Sequence, residues 1–147
     1  MFIDAPTPLE RRVAATQRLL DDWKDRPFDW AELSHCGRMV LEHVRRMGHR
    51  TAVSKAGTYK TALGAKRALE RLEAATIGDL MDRHGFVQIP PAAALPGDVI
   101  ELPSDSELGC LTIALGNGRV GGWHPDAEGF SVLQPTQFGR AWRVEPA

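Results

Sequence analysis

The stretch "CLTIALGNGRVGGW", residues 110–123, decides the fold class of this chain. Its two flanks are short and rich in β-branched and small apolar residues, as is typical of β-strands. Between them, "GNG" at residues 116–118 has the composition of a tight hairpin turn, because glycine and asparagine accept the positive φ angles of such turns. The stretch therefore predicts two antiparallel strands joined by a hairpin.

Short segments of the same character lie on both sides of this hairpin. They begin at Phe86 and are separated by proline and glycine, which interrupt regular structure. Evenly spaced short strands of this kind favour a small antiparallel sheet or half-barrel. In chain order the four segments are "FVQI", "DVIEL", "FSVL" and "AWRVE".

The sequence before these strands has helical character. In "TPLERRVAATQRLLDDWKD", Thr7 is a predicted N-cap and Pro8 takes the first helical position. The apolar spacing predicts a stripe that faces inward from this first helix, made of Leu9, Val13, Thr16, Leu20 and Trp23.

Three further helices are predicted before the first strand. The second covers about residues 36–47, and the third lies in "AGTYKTALGAKRALERLEAA" at residues 56–75. The fourth begins at "TIGD", where Thr76 and Asp79 have the spacing of a capping box.

Helices followed by strands predict one α+β domain over residues 1–147, with a helical half at about 7–85 and a β half at about 86–144.

The net charge of −1 argues against nucleic acid as a partner. No apolar run approaches the length of a membrane span. The start "MFIDAPTPLERR" lacks the pattern of a signal peptide, so we expect synthesis in a reducing cytoplasm. No spacing of ligands or glycines predicts a metal or cofactor.

The stretch "SHCGRMVLEHV", residues 34–44, places Cys36 at the predicted start of the second helix. The positive end of a helix dipole favours the thiolate and lowers the pKa of a cysteine, a device of nucleophilic cysteines. However, Cys36 also lies on the apolar stripe of this helix, where free cysteine commonly fills a core. The residues alone favour the core cysteine and leave the nucleophile open.

The order of features along the chain resembles that of NlpC-type cysteine peptidases, which have a papain-like fold and cut peptidoglycan. The segments that carry the resemblance are "RPFDWAELSHC", "AGTYKTALGAKRALERL", "IPPAAALPGDVIEL" and "GRAWRV". The chain resembles more closely an uncharacterised family of short phage tail proteins that are distantly related to those peptidases. The resemblance implies N-terminal helices packed on a small antiparallel sheet, in a papain-like or NlpC-type architecture.

Carried over residue by residue, the resemblance places Cys36 at the position of the nucleophile. The position of the base histidine is occupied by Cys110, and that of the orienting polar residue by Gly122 or a neighbour. The residue before the nucleophile is usually aspartate in both families, and here it is His35. A thiol is a poor base near neutral pH, and glycine orients nothing.

Among the histidines, His124 in "GGWHP" is the only candidate base on the side of the sheet. It lies two residues past Gly122, and strand alternation puts both on one face. The alternative is a turn histidine before Pro125. His43 is too far along its helix from Cys36 to act as the base, since each residue adds about 1.5 Å of rise.

These observations lead to three functional hypotheses. The first is a structural or assembly component of a bacteriophage tail, in the distal tail or baseplate, which has lost catalysis and contacts hub or distal tail proteins in the virion. The second is an active cysteine peptidase or amidase that cleaves peptidoglycan during genome entry, with Cys36 as nucleophile. The third is a cytoplasmic binding module unrelated to phage, for which the sequence contains no partner motif.

Overall fold

A computed structural model describes residues 5–50, 59–124 and 127–147 of the chain. Within these ranges, four α-helices precede a six-stranded antiparallel sheet that does not close into a barrel. This confirms the predicted α+β class. The helices are α1 (Pro8–Trp23), α2 (Cys36–Arg46), α3 (Ala62–Arg71) and α4 (Ile77–Arg83), and the strands are β1 (Gln88–Ile89), β2 (Val99–Leu102), β3 (Cys110–Gly116), β4 (Arg119–Gly122), β5 (Ser131–Leu133) and β6 (Ala141–Trp142).

The spatial order of the strands is β1-β6-β2-β3-β4-β5. The last strand therefore lies between the first two, with Ala141 of β6 opposite both Ile89 and Ile100. The β3–β4 turn confirms the predicted hairpin, since Asn117 has a φ of 55° between two glycines that also have positive φ. Among the helices of the described ranges, none is both long and apolar enough to cross a membrane.

The predicted caps of the first and fourth helices are confirmed. The Thr7 side chain accepts the N–H of Glu10 at 3.1 Å, so α1 begins at Pro8. At α4, Thr76 and Asp79 form the full capping box, in which each side chain accepts a backbone N–H of the other residue. Local sequence is sufficient to predict these two caps, because the groups that hydrogen-bond a helix terminus lie within one turn of it.

The third helix is shorter than predicted, although residues 56–58 of that prediction lie outside the described ranges. The helix begins only after Thr61, whose extended backbone and side chain cap it by accepting the N–H of Gly64 at 2.9 Å. It ends before Glu73, which has a φ of 56°, a left-handed conformation that ends a helix.

The predicted inward stripe of α1 is partly wrong. Leu9 and Val13 have 57% and 48% of their surface exposed, whereas Arg12 is only 2% exposed. The helix is rotated relative to the apolar stripe because Arg12 has a buried partner in the sheet half. The residues that α1 buries are Arg12, Ala15, Thr16, Leu19 and Trp23.

The partner of Arg12 is Asp98, whose side chain is fully buried. Arg12 Nη1 lies 3.0 Å from Asp98 Oδ1, and Arg12 Nη2 donates to the carbonyl of Val144 at 2.8 Å. Asp98 also accepts the backbone N–H groups of Leu95 and Val144 at 2.8 Å and 2.9 Å. Asp98 thus lies at the turn before β2, as predicted, and it also joins α1 to the segment after β6.

The core has two layers of apolar side chains, one on each face of the sheet. The larger layer lies between the sheet and the helices and includes Trp23, Met39, Val99, Ile113 and Trp142. His43 lies at the edge of this layer, where its Nε2 donates to the carbonyl of Gly97 at 2.8 Å. Burial lowers the pKa of His43 to about 4.

Replacing Arg12 by methionine should destabilise the fold by up to about 3–5 kcal/mol, because the buried carboxylate of Asp98 keeps only Arg143, 3.3 Å away, as a cation, and the carbonyls of Pro96 and Val144 lose their donor. Urea unfolding measures this loss. The matched control is Arg18→Ala, which breaks an exposed arginine–aspartate pair on the same helix and should cost about 0–1 kcal/mol. Equal losses in the two variants would contradict the importance of the buried pair.

His43 should make the fold less stable as the pH falls from about 6.5 to about 4. Its folded pKa of about 4 lies below the unfolded value, so the unfolded chain binds the proton first, and about 3 kcal/mol of stability is lost over this window. Urea midpoints measured across the window test this. In His43→Gln the amide can keep the hydrogen bond to Gly97 without titrating, so the pH dependence should weaken; an unchanged pH dependence would contradict the assignment.

Candidate functional site

A cleft of about 380 Å³ lies where the start of α2 meets the start of β3. Its walls are mainly aromatic and apolar, which is typical of small-molecule and substrate sites. None of the described residues that line it is an aspartate, glutamate, lysine or arginine. The lining residues are Phe28, Trp30, Cys36, Ile77, Ser104, Ser106, Leu108, Gly109, Cys110, Leu111, Trp123, His124 and Ala127.

A short loop holds Cys36 at the helix start. Asp29 and Ser34 exchange backbone hydrogen bonds of 2.8 Å and 2.9 Å, which close the loop immediately before the helix. His35 then caps α2, since its Nδ1 accepts the N–H of Arg38 at 3.1 Å. The loop and the cap fix the backbone on the N-terminal side of Cys36.

Aromatic side chains pack around this loop. The His35 ring contacts Trp30 and Tyr59, with ring centroids 4.7 Å and 5.1 Å away, and these two rings also contact each other at 6.2 Å. Phe28 of the same loop contacts both Trp30 and Trp123, at 5.3 Å and 5.6 Å between centroids, and Trp123 donates its indole N–H to the carbonyl of Arg26 at 2.9 Å. These contacts attach the loop before α2 to the end of β4.

Cys36 is a neutral thiol in this site. Burial raises its pKa, and backbone hydrogen bonds from Leu111, Gly37 and Cys36 itself oppose the shift without reversing it. The lowered pKa that the helix dipole favours is therefore absent, because the loss of hydration outweighs it. Cys36 is 8% exposed and belongs to the main core cluster, as predicted for a core cysteine.

Cys110 is also a neutral thiol. Burial first, and then the proximity of Cys36 and Glu101, raise its pKa to about 12. Neither sulfur carries the charge of a nucleophile near neutral pH.

Residues 8–144 match the family model described as domain of unknown function DUF6950. The chain belongs to this family. The match runs from the start of α1 past the end of β6, so the DUF6950 domain includes both halves of the fold and the whole described cleft. No curated protein matches the chain significantly.

The DUF6950 fold brings three of the predicted site residues to one cleft, namely Cys36, Cys110 and His124. Gly122 lies on β4, where an added Cβ would come within 2.8 Å of the Thr112 side chain. The site of the expected orienting residue therefore has no room for a side chain unless Thr112 moves.

The other histidines do not line the described cleft. His35 packs against Trp30 and Tyr59. Burial, followed by the charge of Arg38, lowers the pKa of His35 to about 4. His43 hydrogen-bonds Gly97, His49 hydrogen-bonds the carbonyl of Glu145, and His84 hydrogen-bonds that of Leu80.

Tyr59 is the residue near the site that sequence reasoning missed. An added Cβ on Gly37 would lie 3.0 Å from the Tyr59 hydroxyl, so this hydroxyl lies next to the first turn of α2. Burial, and then the proximity of Cys36, raise the Tyr59 pKa. No spacing in the sequence marks this residue, because it approaches Cys36 from a separate segment.

Iodoacetamide should alkylate both cysteines of the native protein much more slowly than free cysteine at pH 7, because burial favours the thiol at each site. Mass spectrometry of peptides containing Cys36 and Cys110 measures the two rates separately. Adding urea should bring both rates to that of free cysteine. Rapid native alkylation of Cys36 would contradict the neutral thiol.

Proposed function

We propose that this DUF6950 protein is a structural or assembly component of a bacteriophage tail, in the distal tail or baseplate, with a papain-like, NlpC-type fold that has lost catalysis. The assignment to a tail rests on the resemblance of the sequence to short phage tail proteins. The observation that carries the loss of catalysis is that Cys36 shares its cleft with Cys110, at the position where an NlpC-type peptidase has its histidine.

The architecture supports the NlpC-type part of this proposal. A helix that begins with the cysteine packs against an antiparallel sheet, and the β3–β4 hairpin carries the positions expected for the base and the orienting residue. Nucleophilic catalysis by cysteine needs a thiolate and a base that is itself oriented. Neither requirement is met in this cleft. The raised pKa values of Cys36 and Cys110 disfavour a thiolate, and glycine at position 122 has no side chain to orient a base.

Exposed apolar side chains support a role in protein assembly. Leu9 and Val13 lie one turn apart on α1, and Val132 lies on β5 at the edge of the sheet, with 55% of its surface exposed. Contiguous apolar surface marks protein contacts, whereas single exposed residues do not, so the Leu9–Val13 pair is the candidate contact; hub or distal tail proteins are the partners that the resemblance to phage tail proteins implies. A net charge of −1 gives no electrostatic support for nucleic acid binding.

Mass spectrometry of particles from the phage that encodes this chain should find it among the tail proteins. A deletion of its gene should yield defective tails, and Cys36→Ala should restore them fully because the thiol has no chemical role. If the chain is absent from the particles, a deletion that blocks tail assembly would identify an assembly factor. Absence combined with a harmless deletion would contradict the proposal.

The second candidate function is an active cysteine peptidase or amidase that cleaves peptidoglycan. It is favoured by one observation, that His124 lines the same cleft as Cys36. Purified protein would then degrade peptidoglycan, and both Cys36→Ala and His124→Ala would abolish the activity. Cys110→Ser is the matched control, since this change leaves the required pair intact. Loss of activity in this control as well would point to damage of the fold rather than to the pair.

A further inference from the structure

The cleft at the start of α2 has no chemical role in the proposed function, yet it has the size of a ligand site. Its volume of about 380 Å³ is within the range of small-molecule pockets. We propose that it is a binding site for a small uncharged molecule that carries an aromatic ring and a carbonyl group. The inference rests on the lining of the cleft and is independent of the proposed role in a tail.

Part of the lining consists of three aromatic rings in contact. Phe28 packs edge to face on both Trp30 and Trp123, with centroids 5.3 Å and 5.6 Å away and interplanar angles of 89° and 86°. Phe28 has 45% of its surface exposed, although it lies in a concave site. The ring of a ligand would cover this apolar surface and remove it from water, which is favourable.

The aromatic rings are held in place by the protein itself. The indole N–H of Trp123 donates to the carbonyl of Arg26 at 2.9 Å, and its ring packs edge to face with Phe130 at 5.5 Å between centroids. Trp30 packs against His35, the cap of α2. Because these rings are ordered before any ligand arrives, binding would immobilise few side chains and lose little conformational entropy.

The loop between β2 and β3 contributes polar groups without charge. In "SDSEL", residues 104–108, the first, third and fifth residues line the cleft, whereas Asp105 and Glu107 do not. Glu107 pairs instead with Lys66 at 3.1 Å. A charged ligand would lose hydration in the cleft without a carboxylate, ammonium or guanidinium group from the described lining to replace it, which is unfavourable. The lining therefore selects an uncharged ligand.

Two hydroxyl groups of this loop can donate to a ligand. Ser104 Oγ accepts the N–H of Ser106 at 3.0 Å, and Ser106 Oγ accepts the N–H of Leu108 at 3.2 Å. A serine hydroxyl that accepts a hydrogen bond still has its own hydrogen to donate. Both serines line the cleft, so a carbonyl oxygen on the ligand would match them while its ring lies on the aromatic side chains.

Three probes of nearly the same shape test the charge of the ligand. Near neutral pH, benzamide is uncharged, benzoate is an anion and benzamidinium is a cation. Each is titrated into the full chain, and NMR follows the indole N–H signals of the four tryptophans. Benzamide should shift the signals of Trp30 and Trp123, which line the cleft, and leave that of the buried Trp142 in place. Both charged probes should bind at least about tenfold more weakly, because each would bury an unpaired charge.

Two further probes test the ring. Acetamide, which has the carbonyl group without the ring, should cause no shift at the same concentration. The larger 2-naphthamide should bind more tightly than benzamide, because its second ring removes more apolar surface from water.

Two pairs of variants locate the binding. Ala127→Phe adds a ring to the lining of the cleft and should abolish the benzamide shifts, whereas Ala92→Phe adds the same ring at an exposed position outside the described lining and should bind as the wild type does. Phe28→Ala should also weaken binding, with Phe138→Ala as its matched control, since Phe138 is exposed to a similar extent and lies outside the described lining. The amide spectrum of each variant checks its fold, and Phe28→Ala decides the location if Ala127→Phe does not fold.

Four outcomes would overturn the proposal. They are the absence of any shift with benzamide and 2-naphthamide, equal binding of the charged and uncharged probes, tighter binding of benzamidinium, and benzamide binding that the variants of the cleft leave unchanged.

Discussion

The buried ion pair between Arg12 and Asp98 is the interaction on which the two halves of this fold depend. Asp98 lies at the entry to β2. Its carboxylate pairs with Arg12 of α1 and accepts the backbone N–H of Val144, which follows β6. Burying both charges is costly, and the many hydrogen bonds around them offset that cost. The pair therefore specifies how α1 is rotated on the sheet, even though this rotation leaves Leu9 and Val13 in solvent.

The cleft follows from the same docking of helices on the sheet. When α2 packs against β3, the first residue of each element reaches the same place, and the aromatic loop before α2 covers one side. The burial that results changes the chemistry of the site. A helix N-terminus stabilises a thiolate. The loss of hydration in the apolar surroundings of Cys36 destabilises the thiolate more than the dipole and the nearby N–H groups stabilise it. The outcome is a pair of neutral thiols in the place of a catalytic pair.

Local features were predictable from the sequence, and long-range pairings were not. The caps at Thr7 and Thr76 and the turn at Asn117 depend on residues within a few positions of each other, so the local pattern contains the necessary information. The inward turn of Arg12 and the approach of Tyr59 to the start of α2 depend on partners from distant segments. The position of Cys36 at the start of a helix was predictable, but its pKa was not, because hydration depends on the assembled core.

The position of β6 between β1 and β2 has a consequence for the order of folding. Both of these strands precede β6 in the chain. Strand β1 pairs only with β6, and β2, which also pairs with β3, gains its second neighbour only when β6 arrives. Until then β2 has an unpaired edge, and the Asp98 carboxylate lacks the N–H of Val144. A growing chain on the ribosome can form its helices and the β3–β4 hairpin early, but it completes the sheet only after residues 141–144 emerge. Pairing across such a separation slows folding and exposes strand edges to other chains, so aggregation is the main hazard of a polypeptide interrupted before this point.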